Sequence, residues 1–143
     1  MTIDQISIFV ENKAGGLVEV TDVLHANNID MRTLSIAETP DFGVLRAIVN
    51  DPKKTAQILM DAGFICTITP VLAVAIDDKP GGLGKVLHAL RKNDINLEYT
   101  YAFVTRKSET AYIVLRVSDN EKAIKVLEEN NIKLINAEEV YSL

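Results

Sequence analysis

Two glycine pairs carry the chemistry this sequence offers. Asn12-Lys13-Ala14-Gly15-Gly16-Leu17 recurs as Asp78-Lys79-Pro80-Gly81-Gly82-Leu83. Each follows an alternating apolar run and precedes apolar residues at helical spacing, which places the pair at a helix N-terminus. Amides there lack intrahelical partners and face the positive end of the helix dipole, a setting that favours a carboxylate or a phosphate. Glycine, having no Cβ, lets the backbone approach such a group closely. Asn12 and Asp78 stand just before the turns. Asp30 and Asn96 open the strand after each helix and are expected back near the same region of the sheet. An amide or carboxylate oxygen can accept from an ammonium group. An anion-binding turn beside cation acceptors suits the zwitterionic end of a free amino acid. It suits a nucleotide poorly, because an Asp repels a polyphosphate. A Gly-Gly turn between strand and helix is also a common structural device, and duplication preserves fold residues as well as functional ones.

The strands and helices around these turns repeat as well. Val20, Leu24, Asn27 and Ile29 answer Val86, Leu90, Asn93 and Ile95. A period of about 66–68 residues is too long for a solenoid unit and fits a small domain. In the first copy, Ile6, Ile8 and Val10 mark a strand, and Leu17, Val20 and Leu24 a helix ending at Asn27-Asn28. Residues 29–38 and 44–49 form a hairpin around Pro40-Asp41-Phe42-Gly43. Asp51 caps a second helix, with Pro52 at its first position and Gly63 at its end. Residues 64–69 form a last strand.

The second copy repeats this order. Residues 71–76 form a strand, and Leu83, Val86 and Leu90 mark a helix. Residues 95–105 and 110–117 form a hairpin joined through Arg106-Lys107-Ser108-Glu109. Asp119 or Ser118 caps a helix, and residues 132–135 begin the final strand. The chain is therefore α+β: two tandem ferredoxin-like βαββαβ modules with antiparallel sheets, at residues 1–69 and 70–143. Thr69-Pro70 is the only punctuation between them, and Pro70 should mark a break or an edge. Alone, each module buries only about 60% of its chain surface, so the two are expected to pack side by side and the chain to dimerise.

Composition excludes other classes. The net charge is -5, and lysines and arginines are interspersed with acids, so no basic stripe for nucleic acid exists. The longest apolar run, residues 71–76, is too short for a membrane span. Met1-Thr2-Ile3-Asp4-Gln5 lacks the features of a signal peptide, and the single Cys66 cannot form an intrachain disulfide. Both point to a cytoplasmic protein.

The sequence from Asp78 to Leu83, with Val86, Leu90 and Asn93-Asp94-Ile95-Asn96-Leu97, resembles the ACT-domain signature. The first copy is similar, with Ala14 where the family usually has proline. Together the copies cover almost the whole chain, which is similar to a stand-alone tandem ACT protein. The resemblance implies a βαββαβ fold that binds small ligands, chiefly amino acids, at interfaces between ACT domains. It implies ligand-binding residues Asn12, Gly15, Gly16, Leu17 and Asp30 in the first copy. In the second they are Asp78, Gly81, Gly82, Leu83 and Asn96. Asp30 departs from the more usual Asn. Family members usually regulate an attached catalytic domain, so a partner enzyme of amino-acid metabolism is expected here.

No nucleophile–base set stands out, so the chain is expected to be neither an enzyme nor a cofactor or metal protein. His25 and His88 occupy non-equivalent helix positions and read as solvent-facing. Cys66 reads as a small buried hydrophobe, and a CxxC metal loop is absent. Leu97, Tyr99, Tyr101 and Phe103 read as one apolar row, and Glu128, Glu129, Glu138 and Glu139 as solvated surface. Two function classes remain: an amino-acid-binding regulatory sensor, or an interaction subunit that binds no ligand.

Overall fold

The computed structural model describes residues 1–105 and 109–143; the expected hairpin residues Arg106, Lys107 and Ser108 lie outside the described set. The chain divides into two compact units, Asp4–Thr69 and Pro70–Leu143, the latter grouped with Met1–Ile3.

The amino-terminal unit contains β1 (Ile3–Glu11), α1 (Gly16–Ala26), β2 (Met31–Glu38), β3 (Phe42–Val49), α2 (Pro52–Asp61) and the start of β4 (Cys66–Asp77). β3 pairs antiparallel with both β1 and β2, and Phe9 N–H donates to the Ile65 carbonyl at 2.9 Å, giving the order β2-β3-β1-β4. Alternation sends Ile6, Ile8 and Val10 of β1 and Leu45, Ala47 and Val49 of β3 to one face. There they pack with Val20 and Leu24 of α1 and Ala56 and Leu59 of α2. Asp51 caps α2 by accepting from Lys54 N–H at 3.1 Å, and Pro52 sits at its first turn.

The carboxy-terminal unit repeats the plan with the rest of β4, α3 (Gly82–Lys92), β5 (Leu97–Ala102), β6 (Thr110–Val117), α4 (Asn120–Glu129) and β7 (Lys133–Leu134). Its order is β7-β4-β6-β5. Leu72, Val74, Leu115 and Val117 meet Val86, Leu90, Val126 and Leu127 in a core of the same design. Asp119, not Ser118, caps α4 by accepting from Lys122 N–H at 3.0 Å.

The four long helices end alike. Asn28, Gly63, Asp94 and Asn131 take positive φ. The next residue's N–H then reaches back to a carbonyl five positions earlier, as in Ile29 to Leu24 at 2.9 Å and Ile132 to Leu127 at 2.9 Å.

Three expectations are corrected. β4 runs unbroken through Thr69-Pro70, where two separate strands were expected with the proline at a break or on an edge. The Pro70 carbonyl accepts from Asn120 Nδ2 at 3.2 Å. Leu97 leaves the aromatic row because the β5–β6 register shifts between Leu97 and Tyr99. It packs against the helix-side core, while Tyr99 and Tyr101 stack with centroids 6.4 Å apart. The final strand yields at once to α5 (Ala137–Tyr141). Glu139 is structural there: it closes a capping box with Asn136 and pairs with Lys133 at 2.8 Å, which raises the lysine's pKa above its ordinary value.

Candidate functional site

Each glycine pair closes the step from a strand into a helix with the same bonds. Lys13 N–H donates to the Glu11 carbonyl at 2.9 Å, and Gly16 N–H to the Lys13 carbonyl at 3.1 Å. Lys79 and Gly82 do the same with Asp77 and Lys79, at 2.9 and 3.0 Å. The two glycines of a pair serve different ends. Gly15 and Gly81 are the helix N-caps, at φ of 83° and 89°, and a Cβ on either would enter open space. Their constraint is conformational. Gly16 and Gly82 have ordinary φ, but a Cβ would overlap the carbonyl oxygen of Glu11 or Asp77. Their constraint is packing alone, and it needs no ligand.

Neither helix has a side-chain cap. Glu19 N–H returns to the Gly15 carbonyl at 3.2 Å and Lys85 N–H to the Gly81 carbonyl at 3.1 Å. The first-turn amides of Leu17 and Leu83 are therefore not met by a side chain of the capping residue.

A cleft opens beside each turn, bounded by the strand end, the first helical turn and the segment after the second helix. In the carboxy-terminal unit it is about 350 Å³ and is lined by Asp77, Lys79, Pro80, Gly81, Lys85 and Asn131 among others. In the amino-terminal unit it is about 310 Å³ and is lined by Phe9, Glu11, Gly16, Glu19, Phe42 and Gly63 among others. Position for position the charge reverses at the helix: Lys85 stands where the first copy has Glu19. Phe9 and Phe42, with centroids 5.8 Å apart, further narrow the first copy's chemistry toward apolar contact. Glu11 pairs with Lys13 at 2.9 Å, which lowers the carboxyl's pKa and raises the lysine's, Glu19 adding to the latter. Asp77 pairs with Lys79 at 3.3 Å. Sequence reasoning weighed the residues flanking the turns and missed Glu19 and Lys85; superposing the copies exposes the reversal directly.

Asn12 and Asp78 diverge as well. Both backbone amides reach the neighbouring hairpin, Asn12 N–H to the Asp41 carbonyl at 3.2 Å and Asp78 N–H to the Glu109 carbonyl at 3.0 Å. The Asn12 side chain spends its Nδ2 on the Thr39 carbonyl at 2.9 Å. Asp78 has no proton to spend in that way, and its carboxylate remains an acceptor.

Asp30 and Asn96 do not return to the turn of their own unit. Glu11 pairs with Phe42 at one end of β3, while Asn50, just past its other end, accepts from Asp30 N–H through Oδ1 at 3.4 Å. At about 3.3 Å per residue, the span from Phe42 to Asn50 is roughly 26 Å. The same holds for Asn96, whose N–H donates to Ser118 Oγ at 3.1 Å, just past the far end of β6. The reason is α1 and α3 themselves: each helix carries the chain the length of the sheet before the next strand begins. Asp30 lies in a separate hollow of about 240 Å³ with His25 and Asn50, and its carboxylate pairs with Arg32 at 3.1 Å. Each unit therefore brings Asn12, Gly15, Gly16 and Leu17, or Asp78, Gly81, Gly82 and Leu83, to one end and Asp30 or Asn96 to the other.

His25 and His88 are exposed. Cys66 packs its Sγ near the Ala56 carbonyl at 3.5 Å, and partial burial pushes the thiol's pKa up. Among the described residues no group of His, Cys, Asp and Glu could hold a metal ion, and no helix is long and apolar enough to cross a membrane.

A model of the ACT domain pair family matches residues 1–143. The chain is 43% identical to protein BT0572 from Bacteroides thetaiotaomicron, whose crystal structure superposes with a TM-score of 0.93 over 100% of this chain and 98% of that one. It also shares its fold with the regulatory subunit of aspartate kinase from Thermus thermophilus. That structure is 14% identical, with a TM-score of 0.65, over 89% of this chain and 91% of that one. The corresponding subunit from Thermus flavus is 13% identical with a TM-score of 0.63, over 90% and 92% of the two chains. No curated protein matches the sequence.

Proposed function

The chain belongs to the ACT domain pair family, and from that premise we propose that it is a regulatory sensor of a free amino acid. The observation that carries the reading is the cleft under the Gly81 turn. It combines an N-terminal helix turn without a side-chain cap, the cation Lys85 and the Asp77 carboxylate, while Asp78 stands next to this lining, just before the turn. A ligand carboxylate fits beside Lys85 and the first-turn amides of α3. An ammonium group needs an acceptor nearby, and Asp78 can supply one. A further acceptor from the opening of a second strand, Asp30 or Asn96, has to come from another module, because each module holds its own at the far end. A ligand held between modules binds one arrangement better than another, and so shifts association or the affinity of a partner enzyme. The first copy, with Glu19 at the equivalent place, serves the assembly and not the ligand.

Gly16 and Gly82 favour neither function, since packing alone requires them. Titration calorimetry of the full chain with each free amino acid tests the proposal. Saturable binding by one amino acid or a small set is expected, with about a tenfold loss in Lys85→Glu, equivalent to about 1.4 kcal/mol. Heats of dilution alone across the whole set would overturn it. The expected output is a change in association and not turnover of a substrate.

A further inference from the structure

A groove of about 560 Å³ lies between α1 and α2 of the amino-terminal unit. Val23 and Ile58, both half-buried, and the small side chains of Ala26 and Ala62 make its apolar lining. Asp22 and Asp61 line it too, and both are exposed. Asp61 accepts from Gln57 Nε2 at 2.8 Å, but among the described residues neither carboxylate pairs with a cation. The groove follows the last turns of both helices and reaches their C-caps, Asn27 and Ala62. Carbonyls at a helix C-terminus carry partial negative charge, which adds to that of the two acids. Neither last turn holds a lysine or arginine to offset it.

The carboxy-terminal unit meets the same need from within. There α3 ends on Arg91 and Lys92. Counted along the helices, Lys92 stands where the first copy has Ala26, Asn130 where it has Ala62, and His88 where it has Asp22. Asn130 turns its side chain back to the carbonyl of Val126, the counterpart of Ile58, at 2.8 Å. The first copy has neither that cation nor that covering side chain.

We propose that this groove docks a basic amphipathic helix of a partner protein. The partner's apolar residues rest on Val23 and Ile58, and its lysines or arginines face Asp22 and Asp61. An apolar groove with an acidic rim selects that chemistry: anchors at helical spacing supply contact area, and flanking cations fix orientation and speed encounter. A second copy of this chain is a poor occupant, because its net charge is -5 and two such surfaces repel. The docking uses no residue of either glycine turn and holds whether or not an amino acid binds there.

Panning a phage library of helical peptides on the immobilised full chain tests the proposal without a known partner. Enriched sequences should set apolar residues three or four apart beside Lys or Arg. A synthetic peptide of the enriched sequence should bind in fluorescence anisotropy and lose about tenfold or more in affinity to Ala26→Lys and to Asp22→Lys. Ala26→Lys gives α1 the cation that α3 already carries, and Asp22 is exposed, so thermal unfolding of both variants should match the parent chain. Glu129→Lys, the charge reversal at the second copy's counterpart of Asp61, should leave affinity unchanged. Enrichment of acidic peptides, or of none, would overturn the proposal. So would binding that survives both α1 variants, or that Glu129→Lys weakens as much. Sedimentation in which Ala26→Lys alone dissociates the chain from its own copies would overturn it in favour of self-association.

Discussion

The two units share a backbone and differ in charge. From strand end to first helical turn, their hydrogen bonds agree to within about 0.2 Å, and the capping glycines differ by only a few degrees in φ. On that common frame the first copy places Glu19, Phe9 and Phe42 around the cleft, and the second places Lys85, Ala75 and Asn131. What duplication kept is what the turn needs to fold. What it let diverge is what a ligand would touch. The comparison thus separates two glycine roles that a motif search would merge, and it supports the proposal that the second copy holds the ligand.

The largest effect expected is on the packing glycine. Gly82→Ala drives a Cβ into the Asp77 carbonyl, so urea unfolding should show a loss of about 2–3 kcal/mol. Gly81→Ala has open space and carries only the left-handed backbone penalty, roughly 1–2 kcal/mol. Equal losses would erase the division of labour within the pair.

Next come the two strand-opening residues. If the module that faces the Gly81 turn is a first copy, Asp30→Ala should weaken amino-acid binding by about 1–3 kcal/mol, while Asn96→Ala should leave it nearly unchanged. The reverse pattern in calorimetry would place like units together. Asp30→Ala also removes the ion pair with Arg32, whose exposed carboxylate gives it little weight in stability.

A smaller effect is expected at Asn12. Removing its amide loses the bond to the Thr39 carbonyl, so Asn12→Ala should cost about 0.5–1 kcal/mol in unfolding and leave ligand affinity intact. A large loss of affinity would return the first copy to the ligand.

Much of the fold was legible in the residues. Strand alternation, the caps Asp51 and Asp119, and the helix stops at Asn27-Asn28 and Gly63 follow from local chemistry. The family resemblance rested on the turns, and those turns fold as their glycines require. The placement of Asp30 and Asn96 was misjudged because motif proximity in sequence hides the length of the intervening helix. The departure of Leu97 from the aromatic row depends on a register shift, which a period of two cannot express. The short helix α5 was announced only by Asn136 and Glu139 at capping-box spacing, and an acidic pair near a chain end reads first as surface. The charge reversal between Glu19 and Lys85 was present in the sequence throughout, but it acquires meaning only once both residues are seen to line a cleft.

The stoichiometry of amino-acid binding decides whether one copy or both hold the ligand. Titration of the full chain with the amino acid that binds should give one site per chain, and Glu19→Lys should leave that site's affinity unchanged. Two equivalent sites per chain, or one site that survives Lys85→Glu undiminished, would contradict the assignment of ligand chemistry to the second copy.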